Sequence, residues 1–199
     1  MKVPIGVSVR HAHLKNEHLE ILFGDDYRFE RFRELYQPIQ YASNLTITIA
    51  GPKGQLHNVR ILGPESEFSQ VELSRTDAYY LGINPPVRVS GNLEKSAPIT
   101  VIGPMGQVEL EEGCIIANRH IHIHTKEAIK YNIDQDTLVD VKLGIIKPTI
   151  IREVSFKIAD VCQLELHIDT DDANAALVNN GEYADIVLVE EVEIMPLDS

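Results

Sequence analysis

Two short strings constrain the fold of this chain more than anything else in it: Arg10-His11-Ala12-His13 near the start and Arg119-His120-Ile121-His122 past the middle, with His124 close behind. On a β-strand, residues two apart share a face with Cα atoms roughly 7 Å apart, so two imidazoles can converge on one ion. On a helix the same spacing splays them apart. The flanks read as strand: Val3 to Val9 and Cys114 to Asn118 are short apolar runs rich in β-branched residues. A helix-like stretch follows each pair, Lys15 to Phe23 in one copy and Thr125 to Asn132 in the other. Each copy therefore reads as strand, paired ligands and short helix, and the repetition points to metal binding.

The rest of the chain is mostly β in pattern. Leu45 to Ala50, Val59 to Leu62, Val87 to Ser90, Ile99 to Ile102, Val108 to Leu110, Leu138 to Leu143, Thr149 to Val154, Leu164 to Ile168 and Ala184 to Glu193 show alternation or β-branched runs. Gly- and Pro-rich turns such as Gly51-Pro52-Lys53-Gly54 and Gly103-Pro104-Met105-Gly106 separate them. The spacing predicts a helix over Asp25 to Leu35, with Phe29, Phe32 and Leu35 on one side. It also predicts a helical turn over Thr76 to Leu81 ending at Gly82, and a helix over Asp171 to Asn179 stopped by Asn179-Asn180-Gly181. Thr48 to Gln55 echoes Thr100 to Gln107, so a strand-turn-strand unit recurs along with the histidine strings. Duplication of a small β domain accounts for both, with an approximate boundary near Asn92 to Pro98 that makes 1–95 the first unit and 96–199 the second, strands being open to exchange between the two.

Two further side chains lie in strand context with the right chemistry to complete metal sites, Glu72 and His167. His11, His13 and Glu72 would make one three-donor set and His120, His122 and His167 another, each open to a water or a substrate. Gly51 to Gly54 reads as a hairpin turn, and Asp169 to Asp172 as carboxylates capping the helix that follows.

Composition removes several alternatives. A net charge of −12 repels a polyanion, which argues against nucleic acid, and no run approaches the roughly 20 apolar residues of a membrane span. No basic segment followed by an apolar one opens the chain, so a cytoplasmic location is expected. Cys114 and Cys162, the two cysteines, suit a reducing compartment, and neither is needed as a ligand. The acidic excess gathers at Glu190 to Asp198 and Asp169 to Asp172, leaving Lys53, Arg60 and Arg75 in the first half to hold a small anion, because screening limits distant charges to about 10 Å.

Four ordered motifs, Gly6-Val7-Ser8-Val9-Arg10-His11-Ala12-His13-Leu14, Gln70 to Asp77, Ala117 to His122 and His167 to Asn174, resemble those of the PduL-type phosphotransacylases, or phosphate propanoyltransferases, over nearly the whole chain. The resemblance implies a mainly β fold of two β-barrel domains capped by short helices, and two zinc ions per subunit, one on His11, His13 and Glu72 and one on His120, His122 and His167. It implies an acyltransferase that interconverts propanoyl-CoA or acetyl-CoA plus phosphate with the acyl phosphate plus CoA. Val7, Ser8 and Val9 would line the coenzyme A site, with Lys53 and Arg60 near its phosphates and Asn174 close by. Zinc suits this chemistry, since it polarises a thioester carbonyl and accepts phosphate oxygen or thiolate.

The chain departs from the family at one telling place. Where the family carries a phosphate-contacting arginine after Gly-Pro, this chain has Ser66, flanked by Glu65 and Glu67. A bidentate guanidinium is not replaced by a hydroxyl without consequence. Either Arg75 or Arg119 supplies the charge, or the scaffold serves as a metal-dependent hydrolase of acyl-CoA or acyl phosphate, or as a non-catalytic CoA-binding paralogue. Relatives housed in bacterial microcompartments, such as those serving propanediol degradation, carry a targeting segment ahead of the first motif, which here begins at residue 6. A free cytosolic enzyme is the expectation, with encapsulation and a homo-oligomeric state left open.

Overall fold

The computed structural model describes residues 1–187. In chain order it contains β1 (Lys2–Ser8), β2 (His11–His13), α1 (Asn16–Phe23), β3 (Arg31–Glu34), β4 (Tyr41–Ala50), β5 (Gln55–Gly63), β6 (Gln70–Glu72), α2 (Arg75–Leu81), β7 (Val87–Arg88), β8 (Ala97–Ile102), β9 (Gln107–Ala117), β10 (His120–Ile123), α3 (Thr125–Lys130), β11 (Leu138–Leu143), β12 (Thr149–Ile158), β13 (Glu165–Asp169), α4 (Thr170–Ala176) and β14 (Tyr183–Val187). The fold is mainly β, with two closed six-stranded barrels and, among the described residues, four short helices. None of these helices is long and apolar enough to cross a membrane.

One barrel runs β4-β5-β2-β6-β9-β8 and closes because β8 also pairs with β4. The other runs β11-β12-β10-β13-β1-β14 and closes where β14 meets β11. The two rings repeat the same pairings. β2 lies parallel to β5 and antiparallel to β6, and β10 lies parallel to β12 and antiparallel to β13. A helix follows the histidine strand in each, and another follows the strand that carries the third donor.

The rings do not divide at residue 95. Strand β1 completes the barrel otherwise built from residues after 120, while β8 and β9 complete the barrel built from the first half. The chain therefore crosses between barrels twice, from β1 to β2 and from β9 to β10. Both crossings are the Arg-His strings.

Alternation fills two separate cores. Ala12, Ile61, Val71 and Val101 point into the first barrel, and Ile5, Ile121, Ile123, Val141 and Leu166 into the second, all at most 1 % exposed. Period-two geometry then turns the neighbours of these residues outward. His11 and His13 flank Ala12, Gln70 and Glu72 flank Val71, His120 and His122 flank Ile121, and Glu165 and His167 flank Leu166. Gln70, Glu72 and Glu165 are nonetheless buried, because each barrel covers the outer face of the other at this seam.

Three expectations fail locally. Asp25 to Leu35 is not helical: Arg31–Glu34 is an extended edge strand on β4, the Asn44 amide donates to the Glu30 carbonyl, and the Asn44 side chain accepts from the Glu30 amide and donates to the Arg28 carbonyl. The three apolar residues there match helical spacing, but the backbone groups find partners across the sheet. Phe29 packs on Tyr41, with ring centroids 5.9 Å apart, whereas Phe32 is exposed under the guanidinium of Arg60. Helix α4 ends at Ala176 with Leu177 in the left-handed region, ahead of the Asn-Asn-Gly stop. Asn180 instead accepts a bond from the Val7 amide, and the Gly181 amide bonds Ile5. Val108 to Leu110 and Cys114 to Ala117 join as the single strand β9, which ends one residue short of Asn118. The acidic run at Glu190 to Asp198 and the end of the strand expected to reach Glu193 lie outside the described residues.

Candidate metal centre

Cross-strand register assembles each trio of donors. His11 stands opposite Glu72 in the β2–β6 pair, and His120 stands opposite His167 in β10–β13. With the second histidine of each string on the same face, three side chains converge in each barrel. In both His11, His13, Glu72 and His120, His122, His167, one ligand-type atom per residue lies within 4.8 Å of the others. His11 Nε2 is 3.6 Å from Glu72 Oε2, and the Nε2 atoms of His120 and His122 are 3.1 Å apart.

The hydrogen bonds around the rings suit them to a cation. His11 Nδ1 lies 2.9 Å from the Val9 carbonyl and His120 Nδ1 2.8 Å from that of Asn118. A carbonyl accepts only, so each Nδ1 carries the proton and each Nε2 presents a lone pair inward. His122 Nδ1 contacts Cys162 Sγ at 3.4 Å, which leaves its Nε2 facing that of His120. Two inward lone pairs 3.1 Å apart repel unless a proton or a metal ion lies between them, and this donor set fits a borderline-soft divalent ion.

Burial favours the neutral form of His13, His120 and His122, the form a metal needs. Burial, reinforced by His11, pushes His13 down to about 4, and burial with the neighbouring His167 does the same to His120. His122 is pushed down to about 2 by burial, His167 and His120. Burial opposes the charge of Glu72, yet its carboxyl lies below its ordinary value, favoured by positive charge on His11 or His13 when either is protonated and by a hydrogen bond from Ser90.

Two donors of each trio line one cleft, His11 and Glu72 with Leu73 from the first barrel and His120 and His167 with Asp169 from the second, and Ser8 and Val9, Ala117 and Asn118 line it where the chain passes between barrels. Each crossing is clamped the same way. Arg10 grips Asp77 of α2 at 2.8 and 2.9 Å, and Arg119 grips Asp172 of α4 with two bonds of 2.8 Å. Ser74 and Asp169 cap these helices by accepting from the amides of Asp77 and Asp172, as expected for Asp169. The Thr76 amide donates to Asp171, tying α2 to α4 across the seam.

The other residues singled out from the sequence scatter. Ser8 and Val9 line the cleft, whereas Val7 bonds Asn180 and packs on the second core. Arg60 is the strand neighbour of His11 and donates to the Ser43 carbonyl at 2.9 Å. Lys53 sits in the β4–β5 hairpin against Gly82, and Asn174 is exposed on α4. Ser66 lies between β5 and β6, its amide bonded to Leu14 and its hydroxyl to the Phe68 amide, while Tyr27 donates to Glu65. Arg75 donates to Asn84 through Nη1, and Arg119 donates to Asp172 through Nε and Nη2. Cys114 is buried in the first core, its thiol pushed up to about 12 by burial.

One residue the sequence reading passed over is Lys157. It is the β12 neighbour of His122, as Ser155 is of His120, so it shares their face. Its charge acts on His13, His120 and His122, that is, on both trios. The signal was the alternation Val154, Phe156 inward and Ser155, Lys157 outward, visible once the strand is extended to Ile158.

Fold and site together define a two-barrel protein with a duplicated three-donor centre at the seam. The family model described as phosphate propanoyltransferase matches residues 4–179. A phosphate propanoyltransferase of Thermotoga maritima is 48% identical over 184 residues, covering 92% of this chain and 88% of that protein. One from Lachnoclostridium phytofermentans is 45% identical over 93% of this chain and 87% of its own length, and one from Salmonella typhimurium 44% identical over 89% and 85%. This chain belongs to the phosphate propanoyltransferase family and is an acyltransferase.

Proposed function

We propose that this chain interconverts propanoyl-CoA and phosphate with propanoyl phosphate and CoA, with acetyl-CoA as a second substrate, and that it does so with two zinc ions. His11, His13 and Glu72 would hold one ion and His120, His122 and His167 the other. The observation that carries this reading is the single cleft lined by two donors of each set, His11 and Glu72 and His120 and His167. Bound there, such ions supply Lewis acidity toward a carbonyl oxygen and affinity for phosphate and thiolate.

The chain's own residues then orient and confine. Ser8 and Val9 on one crossing and Ala117 and Asn118 on the other form two walls of the cleft, where the thioester end of the coenzyme would lie. Arg10 and Arg119, paired with Asp77 and Asp172, fix those walls. With Ser66 in place of the family arginine, Lys157 and Arg60 are the cations that flank the histidine strands and would hold phosphate.

Ser66 and its acidic neighbours favour a second reading, hydrolysis of the thioester or acyl phosphate. Thiol release from propanoyl-CoA, followed with and without phosphate, separates the two. Phosphate-dependent release with formation of an acyl phosphate supports transfer, phosphate-independent release supports hydrolysis, and no release in metal-loaded protein removes both.

A further inference from the structure

The histidines of this centre are not oriented alike, and the exception has a buried carboxylate on it. His11 and His120 place Nδ1 on a backbone carbonyl and His122 places Nδ1 on Cys162, leaving Nε2 as the inward atom. His167 is reversed: its Nε2 lies 2.7 Å from Glu165 Oε2. Glu165 is buried and is the strand neighbour of His122, on the face that carries the donors.

That carboxylate is itself held from the other barrel. Gln37, between β3 and β4, donates through Nε2 to Glu165 Oε2 at 2.8 Å and to the Gln163 carbonyl at 2.9 Å, while its Oε1 accepts from the Gln163 amide at 3.1 Å. Both side chains are buried. On the remaining side stands Gly6, the β1 neighbour of His167. A Cβ there would meet Glu165 Oε1 at 2.7 Å and His167 Cδ2 at 3.0 Å, so the chain leaves out a side chain where the Glu165–His167 pair sits.

We propose that Glu165 is the positioning residue of the second metal site: by accepting the Nε2 proton of His167 it commits Nδ1 of that ring to the metal, and Gln37 locks the arrangement across the barrel seam. The inference rests on the metal-site reading above. An orienting carboxylate of this kind fixes tautomer and ring angle and raises the basicity of the ligating nitrogen. The first site needs no counterpart to it, because Glu72 takes the place of His167 there and Gln70 bonds that carboxylate directly at 2.6 Å.

The test is zinc competition against a chelator on the full chain, with His167→Ala marking which equivalent belongs to the second site. Wild type should bind two equivalents. Glu165→Ala should weaken the equivalent lost in His167→Ala by about 10- to 100-fold and leave the other unchanged. Glu165→Gln, whose amide oxygen still accepts the proton, should recover most of that loss. Nitrogen NMR of zinc-loaded wild type should show His167 protonated at Nε2, a state that a purely structural role for Glu165 would not specify. Retention of both affinities in folded Glu165→Ala overturns the proposal, as does equal weakening of both. Should the alanine variant fail to fold, a proton on Nδ1 of His167 in the wild type overturns it equally. Wild-type protein that binds no zinc sinks the metal reading itself, a distinguishable outcome.

Discussion

Arg119 grips Asp172 with Nε and Nη2 each 2.8 Å from a carboxylate oxygen, and Arg10 grips Asp77 in the same way in the other barrel. Each pair ties a crossing segment to the helix behind the third donor, so the Arg of the Arg-His string is a clamp. Asp172→Ala should cost about 1 kcal/mol of stability, the modest figure reflecting an arginine that is 42% exposed. A double-mutant cycle with Arg119→Ala should give a coupling of that size. A coupling of zero would show that the pair does not clamp.

Metal loading should be the largest lever on stability. A zinc ion at a hundredfold over its dissociation constant adds about 2.7 kcal/mol per site. The melting temperature should therefore rise on zinc addition to chelated protein, and by roughly half as much in His122→Ala. An identical rise in that variant would place the ion elsewhere.

Chelated protein should lose stability on acidification. His13 and His120 titrate near 4 in the fold and near 6.5 when unfolded, so between these values the unfolded chain binds more protons. Their contribution is fully present above about pH 6.5 and lost as pH falls toward 4. Urea midpoints measured from pH 7.5 to 4.5 should decline across that window. The decline should be shallower in the His13→Gln variant, and an equal slope would reassign the effect.

Lys157→Met should raise the phosphate KM by about tenfold, the equivalent of one charge-assisted hydrogen bond near 1.4 kcal/mol. Its KM for the acyl-CoA should change less. Ser66→Arg, read in the same phosphate titration, should leave phosphate affinity nearly unchanged if Lys157 and Arg60 already hold the anion. A large gain would mean that they do not.

Ile121→Ala removes a fully buried side chain between the two histidines of β10, on the face opposite to them. A loss of about 2–5 kcal/mol is expected from the lost burial and the cavity. Zinc stoichiometry below the melting temperature should stay at the wild-type value, since the donors face the seam. Loss of one equivalent in the folded variant would show that barrel packing and donor geometry are coupled.

Much of this was legible in the chain. Short-range period-two alternation announces that His11 and His13 share a face, that Ala12 lies on the other, and that Glu72 and His167 sit on polar strand faces. The duplicated strings announce two units. The segment from Asp25 to Leu35 misled because three apolar residues at helical spacing carry no information about an available strand edge, and the edge of β4 decided the matter. Lys157 was passed over because its strand runs four residues beyond its apolar stretch.

What the sequence determined by itself is local: strand-borne histidine pairs, their following helices, the hairpins at Gly51 and Gly103 and the likeness to one family. What only the tertiary structure decided is partnership at long range. The exchange of β1 against β8 and β9 puts both histidine strings at the crossings, turns both outer faces to one seam, and sets Gln37 on Glu165 of the other barrel. Alternation specifies which face a side chain takes, but the ring that a strand joins depends on hydrogen-bond partners far along the chain, and no local pattern encodes them.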